Sequence, residues 1–98
     1  MPYVIMTTSD PATLTRREAL RPAHVAYLRA HQALILAAGG LLEDDGSRGN
    51  GGVIILDTDE RQVAEDFLAG DPFSKAGLFA GVRIARWRKA FFNFECLV

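Results

Sequence analysis

Apolar positions along the chain switch between two periods. Tyr3-Val4-Ile5-Met6-Thr7 is a short β-branched and aromatic run closed by the turn-forming Ser9-Asp10-Pro11, which predicts a first strand. From Leu14 onward the apolar residues return at helical spacing, with Leu20, Tyr27, Leu28, Leu34 and Ile35 on one face, and Gly39 supplies a C-terminal stop. A long helix is expected there. Pro22 suits a first turn better than a helix interior, so the helix should start or break near Arg21. Leu41-Leu42, a glycine-rich loop from Gly46 to Gly52, and Val53-Ile54-Ile55-Leu56-Asp57 read as a hairpin. Thr58 or Asp59 can cap a second helix that carries Val63, Phe67 and Leu68 on one face and ends at Gly70. Asp71 to Lys75 reads as a short helical turn, Leu78 to Trp87 as a returning strand, and Phe91 to Val98 as an extra C-terminal strand.

The resulting order, β-α-β-β-α-β, predicts an α+β fold of the ferredoxin-like kind with an antiparallel sheet. Such a sheet carries helices on one face, and its strands should alternate between apolar and polar positions if the other face meets water. Tyr3 to Met6 and Val53 to Leu56 are apolar at both parities instead. A domain this small cannot hide two faces by itself, so a second copy packed sheet to sheet about a two-fold axis is the expected cover.

Composition narrows the partners. With 98 residues, 49% of them hydrophobic and 23% charged, the chain reads as one domain over residues 1–98. Eleven Lys and Arg against twelve Asp and Glu give a formal charge of -1, so no global basic field draws it to nucleic acid or an anionic membrane. Arg83, Arg86, Arg88 and Lys89, interleaved with Trp87, Phe91 and Phe92, read as the charged edge of a strand and not as a nucleic-acid site. The longest apolar stretch, Ala33 to Leu42, falls well short of the ~20 residues of a membrane span, and the N-terminus lacks the features of a signal peptide. One cysteine, Cys96, excludes an intrachain disulfide and suits a reducing cytoplasm. Two histidines seven residues apart make no metal-ligand pattern, the glycine-rich loop lacks the Gly-Lys-Ser/Thr ending of a phosphate loop, and no cofactor fingerprint is present.

The chemistry therefore rests on His24 and Asp71. An imidazole titrates near neutral pH, and a carboxylate beside it fixes its tautomer and balances its charge, so the two can move protons in a dry pocket. Taken alone, His24 is more often a hydrogen-bonded wall residue than a catalyst, and Asp71 before Pro72 is explained by helix capping. A carboxylate held at a helix start can do both. Arg21, three residues before His24, and Arg17 have the planar donor fork that binds a carboxylate or phenolate, although exposed helix charges are the simpler reading. Tyr27 and Phe73 are apolar enough to line a pocket wall or the core, and His31 reads as structural or solvent-facing.

Arg17, Arg21, His24 and Leu28, then Ala38-Gly39, Gly52-Val53-Ile54-Ile55, Asp71-Pro72-Phe73, Ala76-Gly77-Leu78 and Trp87, resemble the YciI-like (YCII-related) family in order and spacing over residues 3 to 88. The resemblance implies a dimeric α/β-barrel-like assembly, with the histidine and the aspartate before Pro-Phe facing each other in a pocket. It implies a cofactor-independent enzyme acting on a small cyclic, anionic compound by isomerase, dehydrochlorinase or lactone-type chemistry. With that resemblance His24 and Asp71 would be catalytic and Arg21 and Arg17 would contact substrate; Tyr27 and Phe73 are substrate-wall candidates from residue type alone, with core packing the simpler account of both. The alternative expectation is a dimeric ligand-binding or accessory module without turnover. Partners are then a second copy of the chain and a small molecule.

Overall fold

A computed structural model describes the chain from Met1 to Val98. Strand β1 (Tyr3–Ser9) leads through a 3-10 turn at Pro11–Thr13 into helix α1 (Leu14–Ala30). Asp10 begins that turn, its Oδ1 accepting the Ala12 N–H at 3.0 Å with Pro11 in the first position. Strands β2 (Ile35–Leu42) and β3 (Arg48–Leu56) follow as a hairpin, then helix α2 (Arg61–Gly70), the single-turn helix α3 (Pro72–Lys75) and strand β4 (Phe79–Arg86). The sheet order is β2-β3-β1-β4 with every neighbouring pair antiparallel. This is the ferredoxin-like arrangement expected from the residue pattern.

The core lies between the sheet and the helices. Ile5, Leu56 and Ala64 are completely buried, Tyr3 and Phe67 nearly so, and Tyr27, Leu28, Leu34 and Leu68 pack around them. Tyr3 faces Leu56 and Ile5 faces Ile54 across the β1–β3 ladder, so these four point to the helix side. Val4 opposite Ile55 and Met6 opposite Val53 point to the other side, where all four stay partly exposed.

Four boundaries differ from the expected ones. Helix α1 ends at Ala30, not Gly39, and Ile35 to Leu42 form an edge strand that contains both Gly39 and Gly40. The helical spacing of Leu34 and Ile35 is therefore coincidental, and both reach the core from outside the helix. Pro22 sits inside α1 without interrupting it. Pro22 and Glu18, whose carbonyl loses its i+4 donor, are both exposed, so water can satisfy that oxygen. The glycine-rich loop is mostly strand: the turn closes at Glu43–Ser47, where Gly46 takes a φ of 87°, and β3 begins at Arg48. At the C-terminus, Phe91–Phe92 (β5) and Glu95–Cys96 (β6) make a small hairpin of their own and do not extend the main sheet.

Candidate active site

The turn between α2 and α3 places Asp71. Gly70 ends α2 with the Tyr27 hydroxyl so close that an added Cβ would lie 2.4 Å from it, and Pro72 opens α3. Asp71 Oδ1 accepts the Phe73 N–H at 2.9 Å, the cap expected from Asp-Pro. The same oxygen lies 2.8 Å from His24 Nδ1, across 47 residues of sequence. Asp71 is 1% exposed, and its second oxygen, Oδ2, is buried with no hydrogen-bond partner. An ionised carboxylate only accepts, so this contact puts the hydrogen on Nδ1 and leaves the lone pair on Nε2.

His24 is held flat. Its ring stacks on Phe73 with centroids 4.0 Å apart and planes 7° from parallel, and Phe73 meets Phe79 edge-on. One local motif, Asp71-Pro72-Phe73, thus supplies both the hydrogen-bond acceptor and the stacking surface that orient the imidazole. Arg16, two turns before His24, donates to the Ala76 carbonyl and ties α1 to the end of α3.

A cleft of about 130 Å³ opens beside this pair. His24, Asp71, Phe73, Arg17 and Arg21 line it together with Leu28, Thr7, Ser9 and the strand backbone at Gly39, Gly40, Gly51 and Gly52. The glycines keep this wall close to the sheet: a Cβ at Gly51 would sit 2.3 Å from the Thr7 carbonyl oxygen. Tyr27 is placed elsewhere. Its hydroxyl donates to the Phe67 carbonyl at 2.8 Å, its ring packs on His31 and Phe67, and it belongs to the core. His31 Nδ1 lies 2.8 Å from the Tyr27 carbonyl, in the same cluster and away from the cleft. Burial, and then the charge on Asp71, push the Tyr27 phenol above its ordinary range.

Arg48 also lines the cleft, a residue that nothing in its sequence context singles out. It enters because β3 starts five residues earlier than the apolar run Val53 to Leu56 indicates. Arg17 lies with its guanidinium carbon 5.9 Å from the Phe73 ring centroid, and burial, followed by the charges of Arg48 and Arg21, holds its pKa below the usual arginine value. No three His, Cys, Asp or Glu side chains converge at one point, and no helix is long and apolar enough to cross a membrane.

Residues 1–88 match the YCII-related domain. An uncharacterized protein of Haemophilus influenzae is 34% identical over 93% of this chain and all of its own length. The protein YciI of Escherichia coli is 29% identical over the same shares. Among solved structures, the 5-chloro-2-hydroxyhydroquinone dehydrochlorinase of Burkholderia phenoliruptrix, in complex with 2,5-dihydroxybenzoquinone, superposes with a TM-score of 0.79 at 32% identity, covering 90% of this chain and 94% of that one.

Proposed function

The chain belongs to the YCII-related family, and on that premise we propose that it is a cofactor-independent enzyme for a small cyclic compound, with His24 as the proton-transferring base and Asp71 as its orienting partner. The observation that carries this reading is the 2.8 Å approach of Asp71 Oδ1 to His24 Nδ1 at the wall of a ring-sized cleft. For scale, an engineered apolar cavity of ~150 Å³ takes up benzene. The likeness to a dehydrochlorinase supports the same class of chemistry.

Nε2 takes a proton from a ring hydroxyl or an acidic ring carbon. The electron pair left behind forms a carbonyl or a new double bond, and in an elimination a leaving anion departs from the ring. In an isomerisation the imidazolium returns the proton at a second atom. Asp71 stabilises the imidazolium in either case. Phe73 fixes the ring plane, while Arg21 and Arg17 hold an anionic group of the substrate.

Asp71 would also cap α3 in a binding protein without turnover, and the Phe73 N–H bond favours that second reading. His24→Gln separates the two, since glutamine can still donate to Asp71 but cannot act as a base near neutral pH. With hydroxylated and chlorinated hydroquinones as substrates, a folded His24→Gln protein should lose at least ~100-fold in kcat. Unchanged turnover in the variant, or ligand binding with no conversion by the wild type, excludes the catalytic reading. In solution the active form is expected to be a two-fold dimer built on the open sheet face.

A further inference from the structure

The cleft holds more positive charge than the protein neutralises. Arg17 and Arg21 enter none of the ion pairs of the fold. Arg48 has a partner, Glu18, whose Oε1 lies 2.7 Å from its Nη1, but the two side chains are 40% and 60% exposed and such a surface pair exchanges readily. All three arginines line the cleft, where Asp71 is the one carboxylate, and its Oδ1 is already engaged by His24 and the Phe73 N–H. The chain as a whole carries a formal charge of -1, so this is a local concentration of cations and not a basic protein. Arg17 and Arg48 also line the adjoining groove, with Ser9 and the carboxylates Asp10, Glu18 and Glu43. They stand where the cleft opens.

We propose that Arg17 and Arg48 form a carboxylate subsite at the mouth of the cleft, with Glu18 as the resident anion that a ligand carboxylate displaces. Resting on the proton-transfer reading of His24, this deepens it by naming the substrate class: a single ring that bears a carboxylate remote from the position facing the imidazole. The cleft volume of about 130 Å³ leaves room for one ring beside the imidazole. A carboxylate is favoured over a phosphate because Glu18 already shows Arg48 pairing with that group. Exchange of one carboxylate for another needs no new geometry at the guanidinium, and Arg17, which makes no direct ion pair within the fold, gains one.

Binding separates this subsite from the chemistry at His24. Calorimetric titration with 4-hydroxybenzoate and with phenol should show the carboxylate-bearing ring binding more tightly to the wild type. Arg48→Gln should weaken 4-hydroxybenzoate about tenfold and leave phenol unchanged, whereas Glu18→Gln, which removes the competitor, should strengthen 4-hydroxybenzoate several-fold. Arg29→Gln makes the same charge change as Arg48→Gln at an exposed position that lines neither the cleft nor the adjoining groove, and should alter neither affinity. Equal weakening of both probes by Arg48→Gln, no gain in Glu18→Gln, or no saturable binding of 4-hydroxybenzoate each overturns the subsite. Displacement of 4-hydroxybenzoate by inorganic phosphate at lower concentration than by acetate overturns the carboxylate assignment. If the Arg48-dependent preference is present and persists in His24→Gln while no ring compound is ever converted, the proton-transfer reading fails and the subsite stands. Conversion that needs His24 but is indifferent to Arg48→Gln in KM overturns the subsite and leaves the proton-transfer reading in place.

Discussion

Asp71 Oδ1 serves two donors at once, the Phe73 N–H that begins α3 and Nδ1 of His24. Its charge also reaches Tyr27, whose phenol is pushed above its ordinary range first by burial and then by that charge. Asp71→Asn keeps the size and part of the capping strength but removes the charge, so the Tyr27 phenol should ionise at lower pH in the variant, as followed by ultraviolet difference absorption with Tyr27→Phe to identify the signal. A Tyr27 titration unmoved by Asp71→Asn would mean that Asp71 carries no charge into this cluster. The stability consequence has a definite sign. A phenol whose folded pKa is raised contributes stability that is complete below about pH 10, the unfolded phenol value, and is lost as pH rises through the higher folded value. Tyr27→Phe lacks this titration and the 2.8 Å bond to Phe67, so it should be less stable than wild type by about 1 kcal/mol at pH 7, and the gap should close in alkali.

Gly70 joins two elements that the site needs in register. A methyl group there would press on the Tyr27 hydroxyl, part of a side chain already fixed against Phe67 and His31, and the adjacent Asp71 would move with the backbone. Gly70→Ala should therefore destabilise by about 1–3 kcal/mol in urea unfolding, although alanine is the better helix former, and Tyr27→Phe should relieve much of that loss in the double variant. Additive losses would show that the Tyr27 hydroxyl is not what excludes a side chain at Gly70. Most elements here are legible in the residues: the β-branched runs became β1 and β3, Asp10-Pro11 and Asp71-Pro72 became helix starts, and Gly70 became an end. The stretch Gln32 to Leu42 is different. Its alanines, leucines and isoleucine are neutral or favourable for a helix, and only pairing with β3 makes Ile35 to Leu42 a strand, a contact that local spacing does not encode. The same holds for the cleft. His24, Asp71 and Phe73 stand out by residue type and by resemblance, whereas Arg48 becomes visible only when the β2–β3 hairpin, which pairs Leu42 with Arg48, is folded against α1.

At the scale of the molecule, one face of the sheet is still to be accounted for. Helices α1 and α2 cover the side of Tyr3, Ile5 and Leu56, while Val4, Met6, Val53 and Ile55 lie on the other side, apolar and partly exposed. The β4 partners of Val4 and Met6 on that side are Ala85 and Arg83, so a single charge interrupts the patch. A contiguous apolar surface across three strands is costly in water, at roughly 25 cal/mol for each Å² left uncovered, and a second copy placing its own open face there removes the cost for both. We therefore expect the chain to sediment as a dimer at micromolar concentration. Met6→Glu puts a carboxylate at the middle of the patch without touching the helix-side core or the cleft, and it should shift the protein to monomer with its helical circular dichroism retained. Because a dimer is stabilised by mass action, the wild-type melting temperature should rise with protein concentration and that of Met6→Glu should not. A wild-type chain that is folded, monomeric and indifferent to concentration would mean that the open face tolerates water, and the two-sided apolar pattern of β1 and β3 would then need another explanation.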